Sequence, residues 1–189
     1  MPDHLNRPDA GGVVVLSGNP RAGSRTTAAA VHVAERAALG LGLDARVELV
    51  ELATFAGEIL GAAHPTADAA TRTVAEAALL VVATPVYKAS YTGLLKAFLD
   101  LYGPGGLHGV VVVPVVVSGN PAHALVGEVH LRPVLVELGA VVPTRTLTIV
   151  ESQLAELDPV VDRWWQDGGD ALAAQVAGRA RAAATAVAR

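Results

Sequence analysis

Ser17, Asn19, Arg21, Ser24, Arg25 and Thr26 lie within ten residues of one another, in the stretch Val13-Val14-Val15-Leu16-Ser17-Gly18-Asn19-Pro20-Arg21-Ala22-Gly23-Ser24-Arg25-Thr26-Thr27. Three hydroxyls, an amide and two guanidinium groups are the chemistry of anion recognition. A helix start adds partly positive backbone N–H groups to such a set, which suits a terminal phosphate. The dinucleotide pattern G-x-G-x-x-G and the triphosphate pattern G-x-x-x-x-G-K-[ST] are both absent here, which leaves a mononucleotide as the expected guest. The same hydroxyls suit capping of the helix that follows, and capping is compatible with phosphate binding.

Two further segments repeat the passage from strand to loop to helix. In Val81-Val82-Ala83-Thr84-Pro85-Val86-Tyr87-Lys88-Ala89-Ser90-Tyr91-Thr92-Gly93, a proline-fixed loop offers apolar surface and backbone polar groups side by side. Pro85, Val86, Tyr87 and Lys88 are therefore candidates for holding a flat ring such as the isoalloxazine of FMN. In Val116-Val117-Ser118-Gly119-Asn120-Pro121, Gly119 permits close backbone approach, and Ser118 and Asn120 offer hydrogen bonds to a ring's polar edge.

The elements that must position these loops are short, continuous apolar runs: Val13 to Leu16, Arg46 to Val50, Leu79 to Ala83, Val110 to Val117, and Leu147 to Val150. Continuous rather than alternating runs mark strands covered on both faces, hence a parallel sheet. Helical patterns separate them at Ser24 to Leu39, Asp68 to Ala78, Tyr91 to Leu101 and Ala122 to Leu138, with an alanine-rich helix after Asp170. Five such units predict an α/β, doubly wound, five-stranded parallel sheet of order 2-1-3-4-5 with helices on both faces, whose rim gathers the three loops.

A chain of 189 residues with 52% apolar content is expected to form a single domain over 1–189, with 1–11 disordered and 170–189 helical. Gly168-Gly169 is expected to interrupt the last region, and Trp164-Trp165 to mark a packing or subunit contact. The net charge of -4 is spread thinly, which argues against nucleic acid as partner. No apolar run approaches the ~20 residues of a membrane span, and no secretory leader is evident, so the cytoplasm is the expected compartment. Cysteine is absent, which removes thiolate chemistry. His32, His64, His108, His123 and His130 are scattered without ligand spacing, so no metal site is expected.

The motifs S-G-N-P-R-x-x-S-R-T and T-P-V-Y-K-A-S-Y-T-G-L-L-K-x-x-L-D resemble those of the NAD(P)H-dependent FMN reductase family of flavodoxin-like proteins, over roughly residues 13–150. The resemblance is strongest to the FMN reductases that serve two-component alkanesulfonate monooxygenases. It implies FMN with NADPH or NADH as cofactors, a homodimer or homotetramer, and delivery of reduced flavin to a monooxygenase partner. It also implies Ser17, Arg21, Ser24 and Thr26 on the phosphate, Pro85 to Lys88 along the isoalloxazine, and Ser118 to Asn120 on its other edge. In that subgroup the fourth helix can carry an inserted residue that makes a π-bulge at the tetramer interface, linked to exchangeable flavin; Val129 or His130 is the corresponding candidate here, without a tyrosine. Hydride passes directly between the two cofactors in such enzymes, so no catalytic side chain is assigned. Two alternatives stand beside this reading: a reductase with tightly bound FMN that serves quinones, azo dyes or metal oxyanions, and a non-enzymatic flavodoxin-type electron carrier. With two Trp, three Tyr and two Phe and a near-neutral balance, the chain suits the carrier poorly.

Overall fold

The computed structural model describes residues 12–43 and 46–187; the disorder expected for 1–11 lies outside the described residues. Five strands, β1 (Val13–Ser17), β2 (Val47–Glu51), β3 (Leu79–Pro85), β4 (Val111–Ser118) and β5 (Leu147–Val150), form one sheet in the order β2-β1-β3-β4-β5. All four pairings are parallel. Every residue of β1, β3 and β4 is buried, because helices cover both faces of these central strands. β2 lies at an edge and exposes Glu48 and Leu49.

Alternation along the strands divides the core. Val13, Val15, Leu79, Val81, Val113 and Val115 face α1 (Arg25–Leu41) and α5 (Asp158–Val187), whereas Val14, Leu16, Leu80, Val82 and Val112 face α2 (Pro65–Glu76), α3 (Gly93–Leu99) and α4 (Arg132–Glu137). The buried stripe of α1 is built from Ala29, Ala30, Val33, Ala34, Ala37 and Ala38, small side chains that let the helix sit close to the sheet. Pro114 lies mid-strand in β4 without breaking it. Val112 N–H donates to Val141 O on the β5 side at 2.8 Å, and β5 pairing resumes at Val115. Position 114 therefore falls in the gap, where a missing N–H costs no ladder bond.

Three helical regions differ from the sequence expectation. α2 starts at Pro65 rather than Asp68, since the fixed φ of proline suits the first turn. The expected helix from Ala122 to Leu138 is three pieces: a 3₁₀ turn (Pro121–His123), a π-helical turn (Gly127–Leu131), and α4. Pro133 accounts for the last join, because it lacks an N–H and its ring crowds the carbonyl four residues back, which the wider π turn accommodates. α5 begins at Asp158, well ahead of Asp170, and runs straight through Gly168-Gly169.

That glycine pair is a packing feature rather than a break. A Cβ on Gly169 would lie 2.8 Å from the Trp165 indole, and one on Gly168 2.9 Å from Thr144 Cγ2. Trp164 is 8% exposed, sits in the core, and donates from Nε1 to Arg145 O at 3.1 Å. Trp165 lies against Gly40, with the Arg36 guanidinium 5.4 Å from its ring centroid. Trp165 thus packs α5 against α1, and Trp164 ties α5 to the segment before β5.

Candidate functional site

The rim at the carboxyl ends of β1, β3 and β4 is set by register: Ser17 lies opposite Ala83, and Pro85 opposite Val117. The first loop leaves β1 at Gly18, whose N–H donates to Ala83 O at 2.8 Å. Asn19 folds the loop, accepting from Arg21 N–H at 2.9 Å and donating from Nδ2 to Thr26 Oγ1 at 3.2 Å. Gly23 turns the chain at φ +62°. Ser24 then caps α1, its Oγ accepting from Thr27 N–H at 3.1 Å. Among the described residues, the N–H groups of Arg25 and Thr26 find no acceptor. These two donors, with the exposed guanidinium groups of Arg21 and Arg25, leave the loop equipped for an anion.

Beneath the loop lies a network centred on Thr27. Its Oγ1 is 2.7 Å from Ser17 Oγ, 3.0 Å from Ser24 Oγ, and 2.9 Å from Glu51 Oε1, to which it donates. The same Glu51 oxygen accepts from Gly23 N–H at 2.9 Å. Ser17, fully buried, therefore supports the loop from below.

The second loop is a tight hairpin turn. Tyr87 N–H donates to Ser90 O at 2.8 Å and Ser90 N–H to Tyr87 O at 3.1 Å, while Lys88 and Ala89 take φ of 50° and 61°. Two successive left-handed residues define a type I′ turn, which usually carries Asn-Gly. Non-glycine residues there store strain of order 1–2 kcal/mol each. The strain is held because Val86 N–H donates to Val117 O at 2.9 Å and Thr92 anchors the other end. Thr92 is 1% exposed. Its Oγ1 donates to Gly18 O at 2.6 Å and accepts from Leu95 N–H at 3.1 Å, and its own N–H donates to Thr84 Oγ1 at 3.2 Å. One side chain thus ties the first loop to the second and caps α3.

The third loop is closed by its own side chains. Ser118 Oγ donates to Asn120 O at 2.8 Å and accepts from Asn120 N–H at 3.1 Å, while Asn120 Oδ1 accepts from Ala122 N–H at 2.8 Å. What this loop presents outward is the backbone around Gly119, which has open space where a Cβ would stand.

A cleft of about 300 Å³ lies where the loops meet, lined by Asn19, Arg21, Gly23, Ser24, Arg25, Thr26, Pro85, Tyr87, Val117, Glu151 and Leu154. Of the residues singled out in the sequence, Asn19, Arg21, Ser24, Arg25, Thr26, Pro85 and Tyr87 line it. Ser17, Val86, Lys88, Ser118, Gly119 and Asn120 stand behind or beside it. Sequence reasoning missed Glu51, Thr92, Glu151 and Leu154. Glu151 follows β5 directly, and its Oε2 lies 3.1 Å from Arg25 Nη2 across the cleft. A more open depression of about 530 Å³, lined by His32 and residues 154–159, adjoins the cleft at Leu154, which lines both. Its ionisable groups include the pair His32 Nε2 to Asp158 Oδ1 at 2.9 Å, and no anion-binding loop reaches it. Among the described residues no three His, Asp or Glu side chains cluster closely enough to hold a metal, and no helix is long and apolar enough to cross a membrane.

A 2-1-3-4-5 parallel sheet with an anion-type loop after β1 and two loops converging beside it defines a flavodoxin-like α/β protein. The model of the NADPH-dependent FMN reductase family matches residues 12–153. The FMN reductase (NADPH) of Escherichia coli strain K12 is 40% identical over 131 residues, covering 68% of this chain and 67% of that protein. The NADH-dependent FMN reductase SfnF of Pseudomonas putida is 38% identical over 125 residues, 64% of this chain and 67% of that protein. Among solved structures, NADH:FMN oxidoreductase EmoB superposes with a TM-score of 0.65 at 29% identity, over 90% of this chain and 89% of that one. The chain belongs to the NADPH-dependent FMN reductase family. It is an NAD(P)H-dependent FMN oxidoreductase, and FMN and NAD(P)H are its cofactors.

Proposed function

We propose that this enzyme holds FMN by its phosphate in the Gly18–Thr26 loop and hands the reduced flavin to a separate monooxygenase. The carrying observation is the cleft itself: among the described residues two N–H groups without an acceptor stand with two guanidinium groups, and Pro85, Val117 and Leu154 supply apolar lining in the same cleft. That distribution fits a group with a dianionic tail and a flat aromatic head. Arg21, Arg25 and the N–H groups of Arg25 and Thr26 would take the phosphate. Asn19 and Ser24 shape the cradle, with Ser17 supporting Thr27 below. Pro85 to Lys88 would line the ring, and the backbone from Ser118 to Asn120 would meet its far edge.

When bound, FMN supplies the hydride acceptor. The chain's own task is to fix the ring plane and leave one face open to the nicotinamide. The Tyr87–Ser90 turn is suited to this, because its cross-bonded ends and its tie to Val117 hold the ring wall rigid.

Delivery to a monooxygenase is supported by the π-helical turn Gly127–Leu131, which lies where the resemblance places the π-bulge and contains both Val129 and His130. Self-association as a homodimer or homotetramer is supported by Leu125, Val129 and Val136, apolar side chains 67%, 59% and 53% exposed along that region. We place the whole 189-residue chain as one catalytic domain in the cytoplasm, following the sequence expectation. The test is NAD(P)H oxidation at fixed protein with FMN, FAD and riboflavin as alternative acceptors. FMN should be preferred, and riboflavin outperforming FMN would overturn the phosphate assignment.

A further inference from the structure

Two carboxylates stand near the anion loop: Glu51 and Glu151, at or just beyond the carboxyl ends of β2 and β5, the two edge strands. Their roles differ. Glu51 is locked in the loop, its Oε1 already serving Gly23 N–H and Thr27 Oγ1, so one backbone donor of the loop is committed to an internal carboxylate. Glu151 lines the cleft itself and, among the described residues, its side chain pairs with the guanidinium of Arg25 alone, at 3.1 Å.

We infer that Glu151 is an affinity-setting residue, competing with the phosphate of FMN for Arg25 and thereby keeping the flavin exchangeable. The inference rests on the phosphate-cradle reading given above. Arg25 and Glu151 are 70% and 50% exposed in their side chains, and such a solvated pair is weak enough for a dianion to break. A phosphate entering the cradle gains the guanidinium only by releasing Glu151, and afterwards shares the cleft with a carboxylate of its own sign. Both effects lower affinity for the phosphorylated flavin, and neither acts on riboflavin. With Gly23 N–H committed to Glu51, the phosphate depends more heavily on the arginines, so competition for one of them is felt in full.

The experiment measures FMN and riboflavin dissociation constants by quenching of flavin fluorescence, at low and high salt, for the wild type, Glu151→Gln, Glu151→Lys, Arg25→Ala and the double variant Arg25→Ala/Glu151→Gln. Glu151→Gln should tighten FMN by about three- to tenfold at low salt and leave riboflavin unchanged. Glu151→Lys should tighten FMN further. The gain should shrink at ~0.5 M salt, where the screening length falls to a few ångströms. It should shrink likewise in the Arg25→Ala background, where no guanidinium is left to release. A wild type that prefers FMN, combined with a Glu151→Gln variant whose FMN-to-riboflavin ratio is unmoved or falls, overturns this inference alone. A wild type that binds riboflavin as tightly as FMN overturns the phosphate cradle and the inference with it.

Discussion

Replacing Thr92 by Val is the sharpest test of how the loops are held. Valine matches threonine in shape, so the substitution removes the hydroxyl while leaving the packing in place. Three of its hydrogen bonds reach the loops and the start of α3: Oγ1 to Gly18 O at 2.6 Å, Leu95 N–H to Oγ1 at 3.1 Å, and Thr92 N–H to Thr84 Oγ1 at 3.2 Å. The first two are lost, and the third survives because it uses the backbone. At 1% exposure, water cannot replace the lost partners. An orphaned buried group costs about 1–3 kcal/mol, and loss of a threonine N-cap about 1 kcal/mol, so the variant should lose roughly 2–4 kcal/mol. With an unfolding entropy near 2.1 cal/mol/K per residue, a chain of this length should melt roughly 5–10 °C lower. Differential scanning calorimetry gives the stability. FMN titration then shows whether the first and second loops have come apart, in which case FMN and riboflavin both weaken. Thr92→Ser should restore most of both. A Thr92→Val protein melting within a degree of the wild type would refute the claim that this hydroxyl joins the two loops.

Arg21→Ala should raise the KM for FMN at least tenfold with a smaller change in kcat, since a charge-assisted contact is worth about 1.5–3 kcal/mol; steady-state kinetics with FMN varied would decide it. Val129→Asp places a charge on the exposed apolar stripe of Leu125, Val129 and Val136, and light scattering should report a smaller assembly with an unchanged far-ultraviolet spectrum. Glu128 gives a pH prediction. Burial opposes its ionisation, but the Thr146 N–H and the Arg132 guanidinium outweigh that and hold its carboxyl below the ordinary 4.5. A depressed folded-state pKa stabilises at pH above the ordinary value, and the contribution is lost as pH falls through the depressed one. The melting-temperature difference between wild type and Glu128→Gln should therefore be present near neutrality and shrink progressively as the pH falls below the ordinary carboxylate value.

The sheet and its three rim loops were legible in the sequence because their causes are local. Val13 to Leu16 and Val110 to Val117 are continuous apolar runs with no polar face to expose, the pattern of strands covered on both faces in a parallel sheet. The loops follow where apolar residues give way to Ser, Gly, Asn and Pro. The placement of Arg21 and Arg25 beside the first loop follows in turn, since a guanidinium within a few residues of a helix start has little choice of neighbourhood. What escaped the sequence depends on contacts between distant segments. Glu51 reaches a loop 28 residues earlier, Glu151 meets Arg25 across the cleft, and Thr92 bonds back to Gly18. None of the three stands out by type or spacing, because a threonine before a helix or a glutamate after a strand is ordinary until another element is brought beside it. Gly168-Gly169 makes the same point in reverse. The pair reads as a break by local propensity, yet α5 passes through it because Trp165 and Thr144 occupy the space that side chains there would need. Local patterning decided which segments form strands and which residues gather at the rim, while the packing of those segments decided which carboxylates and hydroxyls hold the cradle in place, since that choice is made by through-space contact rather than by neighbours along the chain.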